Sequence, residues 1–154
     1  EMHKRTTAVE IWESFGANLD YFVAGFGTGG TISGVGEVLK EKNPNIKIIG
    51  VEPAASPLLS KGQAGGHKIQ GIGANFIPEI LNRNVIDEIA CVENDDAIAM
   101  AQRLGKIGIM VGISSGANVS AALKIAREHS DKTILTVLND TAERYLSTDL
   151  FNTL

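Results

Sequence analysis
Residues 21–41 constrain the fold more than any other stretch of this chain. Tyr21-Phe22-Val23-Ala24 is a short apolar run that reads as a buried strand. Thr31 to Glu41 is amphipathic and reads as a helix. Between them stand Gly25, Gly27, Gly29 and Gly30, which bring backbone N–H groups and no side-chain bulk. A helix start carries unpaired N–H donors and the positive end of the helix dipole. Strand, glycine turn and helix in that order predict an anion site, most simply one for a phosphate. Asn43-Pro44-Asn45 breaks the helix, and Ile46–Val51 supplies a second strand rich in β-branched residues. The succession predicts a right-handed βαβ unit with parallel strands.

The alternation continues along the chain. Thr7 to Phe15 reads as a helix, with Thr7 and Glu10 at capping-box spacing. Pro53 to Asn75 is a glycine-rich loop, and long loops in compact domains tend to carry function. Val85–Val92 reads as a strand, and Asn94 as the cap of a helix to about Leu104. Ser114 to His129 reads as a helix and Thr133–Leu138 as a last strand, closed by the turn Asn139-Asp140-Thr141-Ala142. The pattern predicts a single domain over residues 1–154 of the α/β class, a doubly wound and mostly parallel sheet. In such sheets ligands bind beyond the carboxyl ends of the strands. The turns Gly27–Thr31, Gly112–Gly116 and Asn139–Ala142 are therefore expected to converge on one crevice.

Composition narrows the partners. Fourteen Lys and Arg stand against 18 Asp and Glu, interspersed and without a basic run, which argues against nucleic acid. No apolar stretch approaches the roughly 20 residues of a membrane-spanning helix, so no membrane partner is expected. Cys91 is the only cysteine. Within its apolar run it reads as a buried strand residue in a reducing, cytoplasmic compartment. No Cys/His cluster has metal-ligand spacing, so no metal is expected.

Taken alone, the first turn leaves three readings open. Gly25, Gly27 and Gly30 match G-x-G-x-x-G, and Glu52 ends the next strand where a ribose-binding acid would stand. An NAD-binding Rossmann module, a site for another phosphate ligand, and a tight turn that binds nothing all fit. In the second turn Gly112 and Gly116 bracket Ser114 and Ser115. One hydroxyl suffices for a helix cap, so the other is available to a ring nitrogen of a ligand. His67 and Lys68 stand isolated in a polar loop and read as exposed; His3 has no functional context.

Several motifs occur in register. They are Lys4-Arg5-Thr6-Thr7 with Glu10-Ile11-Trp12, then Gly27-Thr28-Gly29-Gly30-Thr31, then Gly50-Val51-Glu52-Pro53. His67-Lys68-Ile69-Gln70-Gly71-Ile72-Gly73-Ala74, Gly112-Ile113-Ser114-Ser115-Gly116-Ala117 and Glu143-Arg144-Tyr145-Leu146-Ser147-Thr148 follow. Together they resemble the cysteine synthase (O-acetylserine sulfhydrylase) family of pyridoxal-phosphate enzymes. That family's branch includes cystathionine β-synthase and is related to the tryptophan synthase β chain. The resemblance displaces the NAD reading.

The resemblance implies pyridoxal 5'-phosphate as cofactor, with Gly27, Thr28, Gly29, Gly30 and Thr31 cradling its phosphate and Ser114 contacting its pyridine nitrogen. Gly71, Ile72, Gly73 and Ala74 would edge the substrate side of the ring. The implied reaction replaces the acetoxy group of O-acetyl-L-serine with sulfide to give L-cysteine, or, in a close variant, uses serine or homocysteine. A neutral hydroxyl at the ring nitrogen does not enforce protonation as a carboxylate would, so the ring is the weaker electron sink that β-elimination tolerates. The family also implies a homodimer, and the loop of His67 and Lys68 resembles the surface offered to serine acetyltransferase. Gln63-Ala64-Gly65-Gly66 departs from the proline-containing pattern there; Asn139 stands in place of a proline and Thr141-Ala142 in place of Ser-Gly. The family's Schiff-base lysine, in Ser-Val-Lys surroundings, and its carboxylate-gripping loop have no counterpart in residues 1–154. The expectation is a C-terminal portion of a cysteine synthase, with no catalytic residue of its own and inactive alone. A regulatory or binding subunit that keeps the phosphate cradle is the reading from another class.

Overall fold
The computed structural model describes residues 1–145 and 147. Of the last family motif, Leu146 and Thr148 lie outside the described residues. The chain opens with a short helix, α1 (Met2–Arg5), and then α2 (Thr7–Phe15). Strand β1 (Tyr21–Gly25) leads through the glycine turn into α3 (Gly30–Lys42) and back to β2 (Lys47–Pro53). A short α4 (Leu58–Lys61) and a loop lead to β3 (Glu88–Val92). Two helices, α5 (Asn94–Lys106) and α6 (Ile113–Glu128), precede β4 (Ile134–Thr136).

Among the described residues the four strands form one sheet, ordered β3-β2-β1-β4, and every pairing is parallel. The α/β expectation holds. The strands alternate their side chains between two cores because successive residues face opposite sides. Phe22, Ala24 and Ile48 meet Ile32, Val35, Leu39, Ala8 and Ile11 on the α2–α3 side. Val23, Ile49 and Val51 meet Ala97, Ala101, Ile113, Ala117 and Ala121 on the α5–α6 side. The α5–α6 contact is close because a Cβ on Gly116 would stand 2.2 Å from the Ala97 carbonyl oxygen. The chain leaves β1 toward β2 and returns on the other side at β4, so the order reverses beside β1. That reversal opens a crevice at the carboxyl end of β1, where the glycine turn lies.

Several local expectations are revised. Thr7 does not cap α2: Thr6 is the cap position, without a side-chain cap bond, and the Thr7 hydroxyl pairs with His3 Nδ1 at 3.0 Å. Asn94 does not cap α5 either; Glu93 holds that position, and Asn94 Oδ1 accepts from the Lys68 amide at 2.9 Å. The Val85–Val92 strand shortens to Glu88–Val92, because Arg83–Val85 is a turn of 3-10 helix. Cys91 is exposed rather than buried. It lies on β3, an edge strand of the described sheet, whose burial alternates incompletely.

Candidate functional site
The site begins where β1 runs out. At the strand's last residue the Gly25 amide donates to Asn118 Oδ1 at 2.8 Å. The chain then turns through Gly29, whose φ of 87° is a left-handed conformation that a side chain would strain. Gly29 is the N-cap position of α3, and its carbonyl accepts from the Ser33 amide at 3.0 Å. The first-turn amides of α3 have no acceptor within the helix, and they point out of its positive end. Gly27 is required for a different reason: a Cβ there would stand 2.6 Å from the Gly71 carbonyl oxygen. The turn thus touches the loop that forms the opposite wall.

Between them lies a cavity of about 500 Å³, within the range of small-molecule sites. Gly27, Thr28, Gly29, Gly30 and Thr31 line one side; Gly71, Ile72 and Ala74 line the other, with Asn139 completing the wall. Among the described residues no carboxylate lines it. Helix amides and two threonines suit a phosphate. The Thr31 hydroxyl is held by His3 Nε2 at 3.2 Å, and His3 Nδ1 is held by Thr7. His3 therefore ties α1 to the start of α3, a role invisible in sequence because 28 residues separate it from Thr31.

Two predicted residues stand one layer back. Gly73 does not line the cavity; its amide donates to the Phe26 carbonyl at 3.3 Å. Ser114 is 3% exposed and lies behind Gly71, with its Oγ 3.6 Å from where a Gly71 Cβ would stand. Its hydroxyl donates to Asp140 Oδ2 at 3.2 Å. Ser115 donates to Asp140 Oδ1 at 2.6 Å, and the Gly112 amide donates to the same oxygen at 3.2 Å. Asp140 therefore gathers the positive start of α6 against the last turn, which is where a carboxylate is favourable. The three predicted turns do meet, but the second reaches the cavity through the third.

Sequence reasoning missed Asn118. It is fully buried, and besides accepting from Gly25 it donates from Nδ2 to the Val137 carbonyl at 2.9 Å and to Asn139 Oδ1 at 3.3 Å. One amide thus joins the end of β1 to the chain leaving β4. The available signal was a polar side chain inside the apolar stretch Gly116-Ala117-Asn118-Val119, since buried polar groups are hydrogen-bonded.

Glu52 and His67 lie elsewhere than their positions in the sequence suggest. Glu52 is 1% exposed and does not face the crevice. Its carboxylate accepts from the Leu59 amide at 2.9 Å and from the Ser60 amide at 3.0 Å, and so caps α4. The acid that a ribose would need is spent inside the fold. His67 is half-buried rather than exposed: its ring lies between the Gly73 carbonyl, 2.7 Å from Nε2, and the Ile69 amide, 3.1 Å from Nδ1.

The same architecture occurs in known proteins. Cysteine synthase B of Campylobacter jejuni subsp. jejuni serotype O:2 is 68% identical over 149 residues, covering 97% of this chain and 50% of that protein. The crystal structure of O-ureido-L-serine synthase superposes with a TM-score of 0.94 at 43% identity, over 99% of this chain and 49% of that one. O-acetyl serine sulfhydrylase isoform 3 from Entamoeba histolytica gives a TM-score of 0.92 at 48% identity, over 96% of this chain and 45% of that one. The chain spans about half the length of the relatives it matches. The family model described as pyridoxal-phosphate dependent enzyme matches residues 1–140. That match covers most of the chain, including the glycine turn, the parallel strands and the residues lining the crevice at the end of β1, and this chain belongs to the pyridoxal-phosphate-dependent enzyme family.

Proposed function
We propose that the complete protein containing this chain is a cysteine synthase, which replaces the acetoxy group of O-acetyl-L-serine with sulfide to give L-cysteine. The observation that carries the reading is the cavity at the start of α3, walled by Gly27–Thr31 on one side and Gly71, Ile72 and Ala74 on the other, with no carboxylate among the described residues that line it. Burial of Glu52 speaks against a dinucleotide, whose ribose would need that carboxylate free. Similarity to cysteine synthases at up to 68% identity supports the reaction class.

In this proposal the amides of Gly27 to Thr31 hold the phosphate of pyridoxal 5'-phosphate against the helix dipole. Bound there, the cofactor supplies the electron sink that lets a β-substituted amino acid lose its leaving group. Ser114, behind Gly71, is the neutral hydroxyl for the ring nitrogen; to donate there its proton must turn from Asp140 Oδ2, which accepts it at 3.2 Å. Gly71, Ile72, Gly73 and Ala74 shape the substrate face, with Ile72 and Phe26 as buried apolar lining. Residues 1–154 hold no lysine in the motif expected for imine formation, so this chain by itself is inactive and the activity belongs to the complete protein. That protein acts as a cytoplasmic homodimer. Serine acetyltransferase docking, where it occurs, uses the exposed Lys68 side of the loop, because His67 turns inward.

The test is expression of the complete reading frame containing this chain, with pyridoxal phosphate added. Visible cofactor absorbance, cysteine formation from O-acetyl-L-serine and sulfide, and no NAD binding are the expected results. A protein that binds NAD and leaves pyridoxal phosphate free would overturn the proposal. One that binds pyridoxal phosphate but turns over none of these substrates would instead favour the regulatory-subunit reading.

A further inference from the structure
We propose that His67 is a positioning residue for the cavity wall at Gly71–Ala74, acting through a single neutral tautomer that carries its proton on Nε2. The Gly73 carbonyl, 2.7 Å from Nε2, can only accept, so Nε2 donates. The Ile69 amide, 3.1 Å from Nδ1, can only donate, so Nδ1 accepts. One protonation form meets both demands: the neutral imidazole with hydrogen on Nε2.

The ring closes a chord across the segment from residue 67 to residue 73. Ile69 and Ile72 pin that segment into the core with 0% and 4% exposure. Gly71 and Gly73 turn it with φ of 94° and 65°. The ring and Pro53 then close over Gly73: a Cβ there would stand 2.7 Å from both His67 Nε2 and Pro53 Cγ. Beyond the ring, Asn94 holds the Lys68 amide and the Phe26 carbonyl holds the Gly73 amide. The wall that faces the glycine cradle is thus set from behind by a side chain that does not line the cavity. The effect on substrate rests on the cysteine synthase reading; the tautomer and the wall geometry do not.

The experiment uses the complete protein with ¹⁵N label. A long-range ¹H–¹⁵N spectrum of the imidazole, assigned by the resonance that H67Q removes, should show the Nε2–H pattern. Asn reproduces the Nδ1 position and Gln the Nε2 position, so three variants separate the two bonds. H67A should raise KM for O-acetylserine about tenfold with kcat little changed and bound-cofactor absorbance intact. H67Q, which keeps the donor to Gly73, should restore most of the loss; H67N should not. An Nδ1–H pattern, an unchanged KM in folded H67A, or H67Q behaving like H67A overturns the inference. Should H67A not fold, the wild-type tautomer and the H67Q-against-H67N comparison decide it. Should the wild type bind no pyridoxal phosphate, the functional reading fails, while the tautomer pattern and slowed exchange of the Ile69 amide still test His67.

Discussion

The two walls of the cavity are built by different means. The cradle, residues 27–31, is backbone: a strand end, a left-handed glycine and the start of a helix. The facing wall, residues 67–75, is a loop held in place by side chains. His67 bonds Gly73 and Ile69, Asn94 bonds the Lys68 amide, and Ser56 Oγ donates to Asn75 Oδ1 at 2.5 Å while accepting from the Gly65 amide at 3.2 Å. Asn75 itself adopts a φ of 61°, which asparagine tolerates better than most residues. In the proposed function the phosphate is the same in every substrate complex, and a rigid backbone cradle suits it. A substrate face must differ between enzymes that expel different groups, and a loop set by exchangeable side chains can be altered without disturbing the sheet.

Breaking the cradle should cost most. Asn118→Ala strips the Gly25 amide and the Val137 carbonyl of their partners in a fully buried place. It should destabilise the protein by about 3 kcal/mol, read as a lower midpoint in urea unfolding, and weaken phosphate binding with it. Gly29→Ala comes next. It places a side chain at φ 87° and a Cβ 2.9 Å from Leu81 Cβ, for about 1–3 kcal/mol; its cofactor affinity should fall more than its stability.

On the facing wall the order of sensitivities should reverse. Ser56→Ala removes the bond to Asn75 and the acceptor for Gly65, and about 1 kcal/mol of stability is expected to go. Cofactor affinity should stay near wild type while KM for the amino acid rises. Equal losses of cofactor affinity in Gly29→Ala and Ser56→Ala would erase the distinction between the walls.

The smallest effect lies outside both. Burial pushes the Asp87 carboxyl upward, but hydrogen bonds from Lys40 Nζ at 2.8 Å and the Ile48 amide at 2.8 Å outweigh it and hold the group below the usual carboxylate value. A carboxylate lowered in the fold contributes stability above its unfolded value, and that contribution is lost as pH falls through the folded one. Asp87→Asn should therefore flatten the acid limb of a stability-against-pH curve and leave the neutral region's pH dependence unchanged. Urea midpoints collected from neutral pH into the acid range check it.

What could be read from sequence follows the same division. The glycine cradle, the βαβ unit and the doubly wound class are local patterns, so Tyr21–Glu41 and Ile46–Val51 came out nearly as the structure has them. The partners that hold the site together are not local. Asn118 and Gly25 are 93 residues apart, and Ser115 and Asp140 are 25 apart. Glu52 shows the cost of reading spacing alone: its position fits a ribose acid, yet its carboxylate is buried against α4. His67 shows the reverse, an unremarkable loop residue in sequence whose two ring nitrogens are both engaged. Cys91 was misread because an apolar run does not say whether its strand lies at a sheet edge.

The central claim is that the turn from Gly27 to Thr31 holds the phosphate of pyridoxal phosphate. The most direct measurement is an amide ¹H–¹⁵N titration of the complete protein with pyridoxal phosphate, and with NAD in parallel. Saturable shifts of the Gly27–Thr31 amides with pyridoxal phosphate, abolished by Gly29→Ala and absent with NAD, are the predicted result. Shifts with NAD alone, or pyridoxal phosphate binding that leaves those amides unmoved, would contradict it.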